Sequence, residues 1–170
     1  MTRIKSITLT LVLLFQVAVI VNADADENTT FNDEYSRAMR ALESGDYQRA
    51  TQIFTRLAKQ NRHIQSQTAL GIKYDKGLGV PQSYQKAFKL FRAAAEQNDP
   101  IAQYHLGVKY VNGHGVPQNP FQAYIWFAIA FNNGNELAAD PLRVLNQSLS
   151  TVERQKALKL VVKKMEDLGK

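Results

Sequence analysis

Apolar positions in this chain occur first as one run and then at helical spacing. Ile7 to Val21 is apolar except for Thr8, Thr10 and Gln16. Farther on, Leu70, Gly71 and Tyr74 recur on one helical face, and Ala87, Phe91 and Ala94 follow at i, i+4, i+7. Polar residues fill the positions between them. The whole pattern then repeats. A shift of 36 residues lays QTALGIKYDKGLGVPQ (Gln67–Gln82) over QYHLGVKYVNGHGVPQ (Gln103–Gln118), and Ala87, Phe91 and Ala94 over Ala123, Phe127 and Ala130. A degenerate copy lies upstream, where DYQRATQIFTRLAKQNRHI (Asp46–Ile64) matches Ser83–Ile101 at an offset of 37.

Each unit reads as a helical hairpin. Gly71 and Gly107 fall inside the first helix, where glycine costs about 1 kcal/mol relative to alanine, so a tightly packed neighbouring helix is expected there. Gly77-x-Gly79 and Gly113-x-Gly115 end that helix, because glycine readily takes positive φ. Val-Pro then forces an extended stretch, and Ser83 or Asn119 is placed to cap the second helix, with Pro120 at its first position. The upstream copy lacks this loop and joins its helices by Ser44-Gly45-Asp46 alone.

These residues, read as xALGxxYxxGxGVPQxxxxAxxxFxxAAxxN, resemble the Sel-one-like repeat (SLR) family, relatives of the tetratricopeptide repeats. The motif positions are Leu70, Gly71, Tyr74, Gly77, Gly79 and Ala87, then Leu106, Gly107, Tyr110, Gly113, Gly115, Ala123 and Trp126. Leu90 departs from the family's usual Trp, which Trp126 keeps, and Phe131 from its customary Ala. The resemblance implies an all-α fold, an α-solenoid of stacked hairpins. The chain divides into a degenerate tetratricopeptide-like hairpin over 33–64, repeats over 65–100 and 101–136, and capping helices over 137–170. In that cap Asn135–Ser150 supplies one helix, whose start Pro141 must shift or kink. Ser150-Thr151-Val152-Glu153 is a capping box for the last helix, whose Lys156, Lys159, Lys163 and Lys164 give the stack a polar end. Eight helices are expected.

The opening run changes the compartment. Arg3 and Lys5 precede it, and Val21-Asn22-Ala23 follows it with small residues, so residues 1–23 read as a signal peptide cleaved before Asp24. At about 15 residues the run falls short of the roughly 20 that span a bilayer. An acidic, flexible stretch over 24–32 would follow. With no cysteine in its 170 residues, the exported chain suits a bacterial envelope, the periplasm first and secretion second, better than a disulfide-stapled secreted domain. In such a setting Asn28-Thr29-Thr30 and Asn146-Gln147-Ser148 are chance matches to glycosylation sequons.

Composition leaves few reactive groups. The three histidines, His63, His105 and His114, lack neighbours at metal-ligand spacing, so no metal or other cofactor is expected. Ser83-x-x-Lys86 matches one motif of penicillin-binding enzymes without its companions. Gly77-Leu78-Gly79-Val80 is a turn rather than a phosphate cradle. The run Tyr124-Ile125-Trp126-Phe127, with Phe131 on the face of Phe127, reads as core packing against the cap.

Net charge is +6, and it is uneven. Residues 35–95 carry 11 basic side chains against Glu43, Asp46 and Asp75. An anionic partner fits this bias, and nucleic acid does not, since no recognition signature is visible. The resemblance implies a non-catalytic adaptor binding a protein or peptide. The alternative is a cell-wall or β-lactam hydrolase, since some SLR members are described as β-lactamase-like, although those are typically cysteine-rich. The binding residues expected are Lys73, Lys76, His105, Lys109 and Asn112. Ala69, Lys73 and Lys76, like His105, Lys109 and Asn112, lie at i, i+4, i+7. Stacking would align Lys73 and Lys109 in a solvent-facing basic column flanked by Arg37 and Arg40.

Overall fold

The computed structural model of the 170-residue chain describes residues 30, 32–59 and 63–169. The signal peptide and most of the acidic stretch read from the sequence lie outside them. Eight α-helices occur among the described residues: α1 over 32–43, α2 Tyr47–Lys59, α3 Ile64–Lys76, α4 Tyr84–Ala95, α5 Pro100–Asn112, α6 Pro120–Asn132, α7 Ala139–Ser148 and α8 Thr151–Asp167. Successive helices pack as neighbours, α2 on α3, α3 on α4, α4 on α5 and α5 on α6, which makes an α-solenoid.

The two full hairpins are built alike, atom for atom in their turns. Gly77 and Gly113 take φ 72° and 69°, and their N–H groups close the last turns of α3 and α5 onto the carbonyls of Lys73 and Lys109. The Gln82 amide donates to the Asp75 carbonyl at 2.7 Å, and Gln118 to Val111 at 2.8 Å. Ser83 N–H then reaches the Tyr74 carbonyl, and Asn119 N–H the Tyr110 carbonyl, both at 2.8 Å. The Ser83 and Asn119 side chains cap α4 and α6, with Pro120 at the start of α6 where its missing N–H is harmless.

Glycine does two further jobs. A Cβ on Gly71 would sit 2.7 Å from the buried Phe91 ring, and one on Gly107 2.8 Å from Phe127. The aromatic ring of each second helix therefore fills the space that glycine leaves on the first. In the loops, Gly79 and Gly115 combine positive φ with contact against the Tyr47 and Tyr84 carbonyls, at the start of the preceding unit's second helix. Each loop thus lies on the unit before it, which sets the stacking.

The core lies between the helices in two clusters, one centred on Phe54 and one running from Ala87 to Val161, with half-buried Tyr74 against both. Helix α6 is buried continuously from Ala123 to Ala130, because α5 covers one side and α7 and α8 another. Trp126 packs inside, while Phe131, one turn beyond the buried Phe127 on the same face, is 47% exposed and does not join the core expected of it. The helix expected within Asn135–Ser150 starts late, at Ala139, after a 3₁₀ turn over Glu136–Ala138, the shift expected from Pro141. A residue without N–H fits only the first turn of a helix. Ser150 and Glu153 form the reciprocal capping box that opens α8. Lys164 turns inward, its Nζ 4.6 Å from the Trp126 ring centre, so it does not belong to the polar outer face.

Candidate partner-binding groove

Helices α1, α3 and α5, the first of each hairpin, present a common face. Tyr35, Met39 and Leu42 stand on it at i, i+4, i+7 of α1, and Thr68, Ala69, Ile72 and Lys73 face them from α3. Ile101 of α5 and Leu78 of the loop complete an apolar cavity of about 240 Å³. Asp99, the residue capping α5, borders it. Its carboxylate accepts the Thr68 hydroxyl at 2.5 Å and the Ile101 N–H at 2.9 Å. Burial, with the Asp99 charge second, holds the Tyr35 phenol above its usual range. The Tyr35 ring rests on His63, whose Nδ1 accepts the Ser66 N–H and caps α3. Burial pushes His63 below the usual imidazole range.

The expected basic column is not there. Lys73 and Lys109 are each 2% exposed, because both point between stacked units rather than to solvent. Each ammonium lies over the tyrosine that opens the preceding unit's second helix, Lys73 at 5.3 Å from the Tyr47 ring and Lys109 at 5.2 Å from Tyr84. Their partners differ. Lys109 forms an ion pair with Asp75 of the preceding unit. Lys73 Nζ has no hydrogen-bond partner among the described residues, and burial lowers its affinity for a proton. Both lysines recur at fixed spacing beside the Leu, Gly and Tyr of the packing face.

The other expected binding residues are scattered. Lys76 and Asn112 are exposed at the ends of α3 and α5. His105 is half-buried and stacks on Phe91 at 4.8 Å, and burial lowers its pKa, with the charges of Asp75, Lys109, Lys76 and Asp99 acting after it. Arg37 and Arg40 line a separate polar hollow with Ser44, Asp46 and Arg49, so they do not flank Lys73. His114 stacks on Tyr84 at 4.2 Å. Ser83 Oγ accepts the Lys86 N–H, and the Lys86 ammonium lies over the Tyr74 ring. Sequence reasoning missed Tyr35, Met39, Ile72 and Ile101. The i, i+4, i+7 spacing on α1 was visible, but which face remains uncovered depends on how the units stack.

Among the described residues no helix is long and apolar enough to cross a membrane. No curated protein matches the chain. Among solved structures, the fold is similar to that of a protective antigen present in uropathogenic Escherichia coli strains, which displays an SLR fold. The TM-score is 0.76 at 25% identity, covering 81% of this chain and 30% of that one. It is similar also to a Sel1 repeat protein from Oxalobacter formigenes, with TM-score 0.52 and 32% identity over 55% of this chain and 38% of that one. The chain therefore spans about a third of the length of either. The Sel1 repeat model matches residues 64–99 and 100–135, the α3/α4 and α5/α6 hairpins with the turns that follow them. This chain carries two Sel1 repeats in a fold similar to that of SLR proteins.

Proposed function

We propose that the chain is a non-catalytic adaptor of the bacterial cell envelope, holding a protein or peptide partner on the face shared by α1, α3 and α5. The observation that carries this reading is the apolar cavity across those three helices. Ile101 stands at its rim 51% exposed, and an apolar cavity bordered by a few polar groups is the usual form of a binding site. Stacked repeats bind polypeptides on such a surface, one helix per unit contributing to it. Export is supported by Arg3 and Lys5 before the apolar run, by the small residues before Asp24, and by the absence of cysteine. The non-catalytic reading is supported by Ser83, whose hydroxyl is engaged as a helix cap while its would-be base, Lys86, lies over an aromatic ring.

Cross-linking in the intact periplasm, followed by mass spectrometry of the captured chain, tests the reading. A discrete protein recovered with the wild type and lost with Ile101→Arg is expected, together with a mature N-terminus at Asp24. Nitrocefin turnover that disappears in Ser83→Ala would overturn the adaptor in favour of the hydrolase.

A further inference from the structure

The two Sel1 repeats place the same lysine against the same tyrosine, yet only one of the two ammonium groups is answered. Asp75, on α3, meets Lys109 of the next unit. At the corresponding junction one unit earlier, the last turn of α1 turns Leu42 to the cavity, and its acid, Glu43, is exposed to solvent. Asp99 borders the same cavity but is engaged by Thr68 and the Ile101 N–H. Thr68 lies five residues before Lys73, about 7.5 Å away along a helix rising 1.5 Å per residue. Lys73 therefore lines the cavity while its buried Nζ lies over the Tyr47 and Phe54 rings of α2, without a hydrogen-bond partner among the described residues.

We propose that the α1/α3/α5 cavity takes a protein segment carrying an acidic side chain beside an apolar one, the carboxylate pairing with Lys73 as Asp75 pairs with Lys109. The inference rests on the adaptor reading and adds to it the chemistry of the partner. A side-chain carboxylate suits the site better than a chain terminus, because it comes on a flexible arm able to reach a buried group. The apolar lining, Met39 and Ile72 among it, takes the neighbouring side chain. Once desolvated together, the two charges are held by a pair whose disruption leaves one of them buried and alone.

A phage-displayed dodecapeptide library selected on the purified chain tests this, followed by titration of the enriched peptides made synthetically. We expect peptides with one Glu or Asp flanked by apolar residues, bound at least tenfold more weakly after Glu→Gln in the peptide. Lys73→Met should bind the Glu and Gln forms alike while melting no lower than the wild type. Ile101→Arg should abolish binding of every selected peptide. Peptides blocked by Ile101→Arg but indifferent to Glu→Gln and to Lys73→Met would overturn the carboxylate pairing and leave the adaptor reading standing. So would peptides weakened by C-terminal amidation instead of Glu→Gln. Selected peptides that Ile101→Arg does not affect would overturn both. The Glu→Gln comparison needs no variant of the chain, so it decides the matter even where a Lys73 substitution misfolds.

Discussion

Lys73 and Lys109 are one residue in two electrostatic settings, and their removal should act in opposite directions. Lys109→Met strands the Asp75 carboxylate, whose side chain is 20% exposed, and an unanswered buried charge costs about 1–3 kcal/mol or more. Lys73→Met removes a buried charge with no carboxylate of its own, so the melting temperature should hold or rise by a few degrees. Thermal melts of the two variants side by side check this, and equal losses would contradict it. The pH dependence follows from the same burial. Lys73 is held below its ordinary value of 10.5, so the unfolded chain binds more protons over the window just under that value, and stability contributed by this group rises with pH there. Lys73→Met should lose that rise. His63 and His105 are held below 6.5, so stability should fall as the pH drops through and below 6.5. His63→Asn, which keeps a capping oxygen, should flatten the acid limb in urea titrations. At this scale the sequence showed which lysines recur but not that they are buried, because the tyrosine over each comes from the unit before, some 25 residues away.

Helices and turns were the most legible level, because their signals are local. Ser83, Asn119 and the Ser150–Glu153 box cap the helices they were read to cap, and Gly77 and Gly113 end theirs in the left-handed region. The helix-interior glycines were legible as sites of close approach, though not the rings that approach them. Gly71→Leu and Gly107→Leu should each cost about 1–3 kcal/mol or more by overpacking Phe91 and Phe127. Ser83→Ala should cost about 0.5–2 kcal/mol as a lost cap. Its 3.4 Å hydrogen bond is long and places it at the low end. A denaturation series ranking Ser83→Ala as the most damaging would contradict the hairpin packing. What the local signals hid was the 3₁₀ turn before α7 and the role of His63 as a cap, since imidazole is an uncommon acceptor at a helix start.

At the scale of the molecule, period and loop chemistry made the solenoid readable, while the open face was not. A 36-residue period forces equivalent side chains into register, and Gly79 and Gly115 lock each loop onto the unit behind it. Where the register breaks, at the loop-free first hairpin, the acid that would answer Lys73 is missing and an apolar cavity opens instead. That site arises from the mismatch between a degenerate unit and a regular one, which periodicity conceals. The adaptor reading therefore rests on whether a partner occupies this face in the cell. Site-specific photo-cross-linking asks this directly, with a benzophenone side chain placed at Ile101 on the groove or at exposed Lys89 on α4. A discrete adduct is expected from position 101, weakened by Lys73→Met, and none from position 89. Equal adducts from both positions, or an adduct from 89 alone, would contradict the adaptor reading.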